Sequence, residues 1–219
     1  MRPTNFREIL EQGCATLNLR VSGEGLDRLA RYCTELGKWN RKMNLIAQAS
    51  EQEIIESHFL DSLTLLPHLP GGEKSELLDV GSGAGFPGLV VKSVLPELRL
   101  TLIEPRAKRA AFLRHMVRTL GLGQVDIREE RLEPSKGSQP ATFPCITSRA
   151  LTTIGEFLEL TAPLSPTGGI VICMKGPKAE EEISRWRADP ASPYTLQRLV
   201  PLTLPFSGAT RNLVIFVKN

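Results

Sequence analysis

The sequence has few of the residues from which metal centres and disulfide frameworks are built. Of its 219 residues, four are cysteines and three are histidines, and no Cys-x-x-Cys pair is present. These counts argue against a zinc site, a disulfide-stapled fold and a histidine-rich catalytic metal centre, so we expect no bound metal. The cysteines are Cys14, Cys33, Cys145 and Cys173.

Long apolar runs are also missing. No stretch approaches the roughly 20 uninterrupted apolar residues that a membrane helix needs, and the N-terminal segment lacks the apolar core of a signal peptide. We therefore expect a cytoplasmic protein. With 41% hydrophobic and 23% charged residues, the chain is long enough for one α/β domain and a small appendage. The net charge of +3 is too small to indicate a nucleic-acid partner by itself.

Hydrophobic spacing predicts three helices and no strand in the first 70 residues. They cover residues 6–19, 25–39 and 51–69, and Ser50 with Glu53 forms a capping box before the last of them. A cluster of chain breakers at 70–75 follows. The predicted boundary therefore separates a helical N-terminal extension, 1–70, from a main domain, 71–219.

From residue 77 onward, short apolar runs alternate with helical patterns. Strands are predicted at 77–80, 100–103, 125–127, 145–147 and 170–174, and helices at 88–95, 107–120, 154–164 and 179–187. This alternation indicates βαβ units and a parallel sheet covered on both faces. The last two runs, 195–204 and 212–217, are predicted to pair as an antiparallel hairpin. The expected fold class is α/β: a Rossmann-like, mostly parallel seven-stranded sheet with a C-terminal antiparallel hairpin.

The segment from Leu77 to Gly88 is the most informative stretch of the chain. A buried strand leads into Gly81, Gly83 and Gly85 and then into a helix. Glycines at such a crossover let a ligand approach the main chain, and the helix N-terminus offers free N–H groups. The segment therefore predicts a cofactor-binding loop.

Two cofactor classes use such a loop, and the register favours one of them. If Gly81 is the first glycine of the dinucleotide fingerprint, the third position falls on Phe86, which is too large for close helix packing. An acid two residues before Gly-x-Gly-x-Gly is instead typical of S-adenosylmethionine-dependent methyltransferases. Asp79 occupies that position, and its carboxylate suits a ligand that carries a sulfonium and an ammonium.

Further acids complete the predicted cofactor site. Glu104 ends the next strand about twenty residues after the loop, where a carboxylate can accept both ribose hydroxyls. Leu132 and Glu133 follow the third strand, where an adenine would lie between an apolar side chain and an acceptor for its amino group. For Glu133, a solvated loop carboxylate is a nearly equal alternative.

The residues after the fourth strand bear on the methyl acceptor. Thr147-Ser148-Arg149-Ala150 stands where exocyclic-amine methyltransferases usually carry an Asn/Asp-Pro-Pro-aromatic motif, and the absence of that motif argues against an amine as the acceptor. Cys145 could be mistaken for the nucleophile of a cytosine-C5 enzyme, but it begins an apolar strand and is better explained as a buried structural cysteine. A ring nitrogen such as guanine N7 fits, because its lone pair needs no deprotonation.

Two basic residues at strand ends are the candidate catalytic residues. Arg149 and Lys175 could recognise guanine O6 or a phosphate. Surface salt bridges are an equally good explanation for both.

At these motifs the chain resembles the bacterial 16S ribosomal RNA guanine-N7 methyltransferases, the family also called glucose-inhibited division protein B. The resemblance runs from about Trp39 to the C-terminus, and His58-x-x-Asp61-Ser62 is its most specific element. It implies methyl transfer from S-adenosylmethionine to N7 of one guanine in the helix-18 loop of 16S rRNA. It also implies a largely monomeric cytoplasmic enzyme. The implied cofactor contacts are Gly81, Phe86, Glu104, Pro105, Arg106, Leu132, Glu133 and Arg149.

The basic run, His58 and the overall function each allow more than one interpretation from the sequence. A run of basic residues from Arg106 to Arg118 contains no acid, and with Lys38, Arg41 and Lys42 it could grip RNA phosphates or form a solvated face. His58 either packs against the cofactor domain or forms a wall of the active site. A methyltransferase for small molecules or proteins, and a non-enzymatic RNA-binding assembly factor, remain alternatives.

Overall fold

The N-terminal part of the chain is helical, as predicted, in a computed structural model that describes residues 3–71, 75–132, 141–187 and 192–219. Helix α1 spans Pro3–Thr16, and α2 spans Gly23–Met43. Ser22 caps α2 by accepting a hydrogen bond from the Gly25 N–H at 3.1 Å. The helix ends at Asn44, which has a left-handed φ of 48°.

The segment predicted to be helical over 51–69 is helical, but it is divided among three helix types rather than forming one regular α-helix. The capping box of Ser50 and Glu53 is confirmed. Four pieces follow it: α3 (Glu51–Ile54), a π-helix (Ile55–Leu60), α4 (Asp61–Leu63) and a 3₁₀ turn (Leu66–His68). A π-helical turn holds more residues than an α-helical turn, so it changes which face the following side chains occupy.

One sheet forms the centre of the molecule, and it confirms the predicted fold class. Within the described ranges its strands are β1 (Glu76–Val80), β2 (Arg99–Ile103), β3 (Val125–Arg128), β4 (Cys145–Arg149), β5 (Ile170–Lys175), β6 (Tyr194–Thr203) and β7 (Thr210–Lys218). Their spatial order is β3-β2-β1-β4-β5-β7-β6. Strands β1 to β5 pair in parallel, and β7 is antiparallel to both β5 and β6.

Helices cover both faces of the sheet, which explains why the strands are apolar runs. The remaining helices of the described ranges are α5 (Gly88–Val94), α6 (Ala107–Leu120), α7 (Ile154–Thr161), a 3₁₀ turn (Ala162–Leu164) and α8 (Ala179–Arg187). Successive strand residues contact opposite faces, so Leu77 lies in the core cluster with α2, α5 and α6, and Leu78 in the cluster with α7 and α8. Phe6 and Leu10 of α1 belong to the first cluster. Residues on both sides of the boundary predicted near residue 70 therefore share one hydrophobic core, and the division into two domains stays a prediction.

The strand order reverses between β1 and β4, and this reversal places the candidate site. In open α/β sheets, ligands bind beyond the carboxyl ends of the strands at such a point. The loops after β1, β2, β4 and β5 meet there. Among the described residues, no helix combines the length and apolar character that crossing a membrane requires.

Candidate functional site

The loop after β1 depends on its glycines. Gly81, Gly83 and Gly85 have φ values of 75°, 59° and 90°, which side chains rarely adopt. A Cβ atom at Gly81 would lie 2.7 Å from the side chain of Leu151, and one at Gly85 would collide with the Tyr32 hydroxyl. The loop therefore requires glycine at these positions, and without side chains there its backbone can come close to a ligand.

Glu104, at the end of β2, ties this loop to the next one. Its Oε2 accepts a hydrogen bond from the Gly83 N–H at 2.9 Å, and its Oε1 accepts one from the Arg106 N–H at 2.8 Å. Arg109 lies 4.0 Å from the same carboxylate. The side chain is 4% exposed but lies at the wall of the site cavity. A carboxylate has about four acceptor positions, so two remain for a ligand.

The cavity itself measures about 710 Å³ and is rich in positive charge. Among the residues that the structure describes, six basic side chains and two acidic ones line it: Arg106, Arg109, Arg131, Arg149, Lys175, Arg211, Asp61 and Glu104. Its volume lies in the range of cofactor sites, about 300–1,000 Å³. The charge suits a ligand or substrate that carries carboxylate or phosphate groups.

Most of the sequence-predicted site residues meet at this cavity. Those that line it are Gly81, Gly83, Phe86, Glu104, Pro105, Arg106, Arg149 and Lys175. Gly85 and Leu132 lie outside the lining: Gly85 is buried beneath the loop against Tyr32, and Leu132 packs against the core cluster of α7 and α8. Glu133 lies outside the described residues.

Asp79 occupies a different place from the one predicted. Its side chain is fully buried beneath the loop, where Oδ2 accepts a hydrogen bond from the Gly88 N–H at 2.9 Å. A Cβ atom at Gly88 would lie 2.8 Å from that oxygen, so the close approach requires glycine. Burial raises the pKa of Asp79 to about 7. Asp79 therefore holds the start of α5, and a direct contact with a sulfonium would require it to leave this position.

Arg149 connects β4 to the π-helical segment. Its Nη1 donates to the Ser57 carbonyl at 2.6 Å and to Asp61 Oδ2 at 3.2 Å. The guanidinium carbon lies 5.1 Å from the centre of the Phe86 ring, a cation–π contact. Asp61 also pairs with Arg211 of β7 at 3.6 Å. One buried carboxylate thus holds two arginines at the cavity wall.

His58 completes this cluster as a neutral ring. It stacks on Phe86 with 4.8 Å between the ring centres, and its Nδ1 lies 3.0 Å from Arg149 Nη2. A guanidinium can only donate, so Nδ1 accepts and the ring proton sits on Nε2. Burial, and then the charge of Arg149, lower the pKa of His58 to about 3. His58 is therefore a wall of the site, and it stays uncharged near neutral pH.

This pKa predicts an acid-sensitive contribution to stability. In the unfolded chain a histidine titrates near 6.5, so between about pH 6.5 and 3 the unfolded state binds a proton that the native state lacks. The contribution of His58 to the free energy of unfolding is fully present above that window. It falls as the pH drops, by up to about 1.4 kcal/mol per pH unit. Urea unfolding at about pH 7 and pH 5 should show a smaller loss for His58→Gln than for the wild type. Equal losses would contradict the neutral ring.

Lys175 lines the cavity but is already engaged. Its Nζ pairs with Glu182 at 2.8 Å and donates to the Thr152 carbonyl at 2.5 Å. Glu182 in turn accepts a hydrogen bond from the Ile154 N–H at 3.0 Å. These bonds join the end of β5 to α7 and α8. Lys175 is thus a salt-bridge partner at the cavity wall, and contact with a substrate stays a prediction.

The predicted site residues omit two buried side chains that hold the walls of the cavity in place. Asp61 is one; although it belongs to the His58-x-x-Asp61-Ser62 element, that element suggested no partner for it. The other is Tyr32 of α2, fully buried, whose hydroxyl donates to the Ala84 carbonyl in the glycine loop and whose ring stacks on Phe86 at 5.7 Å. A polar atom on the apolar face of α2 is the signal that could have identified Tyr32.

We expect Tyr32→Phe to loosen the glycine loop. The substitution removes the hydroxyl and leaves the buried Ala84 carbonyl without its donor, which costs about 1–3 kcal/mol. Urea unfolding should show that loss, and calorimetric titration should show weaker S-adenosylmethionine binding. Tyr194→Phe alters the other tyrosine, in the core cluster of α7 and α8, and serves as the control. Equal cofactor affinities in the two variants would rule out a role for Tyr32 in the loop.

Other sequence predictions have mixed outcomes. Cys145 is fully buried, as expected for a structural cysteine, and burial raises its pKa to about 12. On α6, Arg114 and Arg118 are both exposed, and Arg114 pairs with Glu129 at 2.9 Å. The proposed grip of these arginines on RNA stays a prediction.

The residues of the cavity fit S-adenosylmethionine. The glycine loop permits close approach of the ligand, and Glu104 presents a carboxylate at the end of β2, where ribose hydroxyls bind in related sheets. The basic side chains offer partners for the carboxylate of the methionine part.

Comparison with known proteins agrees with this arrangement. The family model of GidB, described as rRNA small subunit methyltransferase G, matches residues 26–214. The chain is 44% identical to the Ribosomal RNA small subunit methyltransferase G of Desulfotalea psychrophila, with 96% of this chain and 98% of that protein covered. It is 36% identical to the protein of that name from Myxococcus xanthus, with both chains fully covered. A SAM-dependent methyltransferase structure from Aquifex aeolicus shares the fold, with a TM-score of 0.56 at 18% identity over 84% of this chain and 98% of that one.

Proposed function

The chain belongs to the rRNA small subunit methyltransferase G family, and on that premise we propose that it transfers a methyl group from S-adenosylmethionine to N7 of a guanine in the helix-18 loop of 16S rRNA. One observation carries the proposal: the glycine loop and Glu104 share a single cavity with the cationic wall of Arg149 and Arg211. This arrangement supports a methyl-donor site beside a site for an anionic, oxygen-rich acceptor.

The chemistry of N7 agrees with the residues present. Bound S-adenosylmethionine supplies a methyl group on a positively charged sulfur. N7 of guanine has a lone pair and no proton to lose, so the chain needs to orient the base and exclude water rather than supply a catalytic base. A neutral His58, with its proton on Nε2, is consistent with this requirement. Arg149 and Arg211 would hold O6 or a phosphate, which leaves N7 free.

The family also suggests where the reaction takes place. We propose that the substrate is 16S rRNA within the small ribosomal subunit or its precursor, and that the protein acts in the cytoplasm as a monomer. Basic side chains outnumber acidic ones among the described residues of the cavity, which supports an RNA substrate over an uncharged small molecule.

The test is transfer of labelled methyl from S-adenosylmethionine to small subunits that lack their N7-methylguanines. Chemical cleavage at N7-methylguanine then maps the modified position. We expect label at a single guanine in the helix-18 loop. Label at another position, or none despite tight cofactor binding, would refute the proposed target and leave the fold and the cofactor site standing.

A further inference from the structure

A row of depressions leads from the site cavity along the C-terminal end of α2. A niche of about 290 Å³ shares Ile46 with the cavity, and a groove of about 570 Å³ shares Arg41 with the niche. The three spaces are therefore adjacent. We name the niche and groove together the α2 track, after the residues that the argument uses: Lys38, Trp39, Asn40, Arg41, Lys42 and Ile46.

The α2 track carries positive charge. Arg41 and Lys42 are exposed in the last turn of α2, and neither forms an ion pair with a residue that the structure describes. Among the described residues that line the niche, none is acidic. Glu35 borders the groove, but Lys38 pairs with it at 2.6 Å and His115 lies 2.9 Å from it.

The α2 track also offers an aromatic surface. The ring centre of Trp39 lies 5.5 Å from that of Phe112 and 5.1 Å from that of His115, and this packing fixes the indole ring. The side chain is only half-buried, and it also borders the groove. A fixed aromatic ring beside two cations is the arrangement with which proteins bind single-stranded nucleic acid: bases stack on the ring and phosphates contact the cations.

The turn between the α2 track and the cavity is held in place. The Asn40 side chain accepts a hydrogen bond from the Ile46 N–H at 2.8 Å, and Asn44 between them has the left-handed φ of 48°. This bond fixes Ile46, the residue common to niche and cavity, relative to α2. A chain bound along the α2 track would therefore reach the cavity at a defined place.

We propose that the α2 track binds the single-stranded RNA next to the target guanine, with phosphates at Arg41 and Lys42 and one base on Trp39. The inference rests on the proposed function. A base that enters an enzyme cavity must leave its stack, and its neighbours in the strand then pass over the rim, where flanking contacts set selectivity. Ile46 lies on that rim.

The first experiment compares two double variants with the wild type. Arg41→Ala with Lys42→Ala removes the cations of the α2 track. Arg185→Ala with Arg187→Ala removes the same charge from the last turn of α8 and is the matched control. Helix α8 packs on the opposite face of the sheet from α2. Binding to small subunits that lack N7-methylguanine is measured over a range of salt concentrations, and methyl transfer is measured separately.

We expect the α2 variant to have an affinity for the small subunit that is at least about 10-fold lower at moderate salt. The slope of log affinity against log salt concentration should become shallower by about 1.4, the value for two phosphate contacts on a single strand. KM for the subunit should rise with little change in kcat. The α8 variant should stay within about twofold of the wild type. Two results would overturn the role of the α2 track in RNA binding: normal methyl transfer with equal KM values in both variants, or equal losses of subunit affinity in both. Either result would leave the proposed function intact.

The second experiment distinguishes RNA from a ribosomal protein as the partner. The chain has two tryptophans, so Trp186→Phe leaves Trp39 as the single reporter of indole fluorescence. An RNA oligonucleotide with the helix-18 loop sequence should quench that fluorescence by stacking, and Arg41→Ala with Lys42→Ala should shift the titration to higher RNA concentration. No quenching would refute the RNA assignment. Quenching without methyl transfer to any subunit would support the α2 track and refute the proposed reaction.

Discussion

Glu104→Ala is expected to weaken S-adenosylmethionine binding by about 100-fold and to leave small-subunit affinity within about twofold. A hydrogen bond to a charged group contributes about 1.5–3 kcal/mol, and the variant loses the two that a ribose would form. It also frees the N–H groups of Gly83 and Arg106, which Glu104 holds at 2.9 and 2.8 Å. Both loops at the cofactor end of the cavity should then become less ordered. Calorimetric titration with S-adenosylmethionine measures the loss directly.

Two further variants make the Glu104 experiment specific. Glu104→Gln keeps the size of the side chain, but its amide nitrogen donates hydrogen bonds and cannot accept one. One of the two backbone N–H groups therefore loses its acceptor, and we expect an intermediate loss of cofactor affinity. Glu129→Ala removes an acid just beyond β3 that does not line the cavity, and it should leave cofactor affinity unchanged. An equal loss of cofactor and subunit affinity in Glu104→Ala, or no loss of either, would contradict the ribose assignment.

The sheet and the glycine loop could be predicted because their signals are local. Helix α6 begins and ends at the predicted residues, and strands β1 to β5 lie within two residues of the predicted limits. Apolar runs, helical spacing and glycine clusters each extend over fewer than about fifteen residues, and the backbone responds to them directly. The place of Glu104 at the cavity follows from the same kind of signal, its position at a strand end after the loop, and its contact with a ribose stays a prediction.

The Asp61 cluster could not be predicted, since it depends on contacts distant in sequence. Asp61 meets Arg149 and Arg211 only after the π-helix has turned it towards the cavity and the hairpin has added β7 beside β5. Helical spacing treats 51–69 as regular and cannot reveal an extra residue in one turn. The placement of Asp79 was missed for a similar reason: motif spacing gives a residue's order along the loop, but not which side of the loop its carboxylate faces.

Asp61→Asn is expected to lower kcat/KM for methyl transfer by about 100-fold, because small displacements of groups that orient a substrate have effects of that size. An amide keeps the shape of the side chain but lacks the charge that holds Arg149 at 3.2 Å and Arg211 at 3.6 Å. We expect S-adenosylmethionine affinity to change much less, since the glycine loop and Glu104 are unaltered. Asp61 is thus a positioning residue for the acceptor side of the cavity.

The effect of Asp61→Asn on stability should be smaller than removal of a buried ion-pair partner usually causes. Burial raises the pKa of Asp61 although both arginines lower it, so the ion pairs offset only part of the cost of burying the carboxylate. At neutral pH we therefore expect a loss in the free energy of unfolding below the roughly 3–5 kcal/mol that breaking a buried ion pair usually costs.

Ser62→Ala is the matched control for Asp61→Asn. Ser62 is also buried, but its hydroxyl donates to the His58 carbonyl within the same helical segment and touches neither arginine. We expect its kcat/KM to stay within about twofold of the wild type. A second readout is the pKa of His58, measured by NMR: the charge of Arg149 lowers it, so displacement of Arg149 in Asp61→Asn should let it rise. Unchanged kcat/KM together with an unchanged His58 pKa would show that Arg149 holds its place without Asp61.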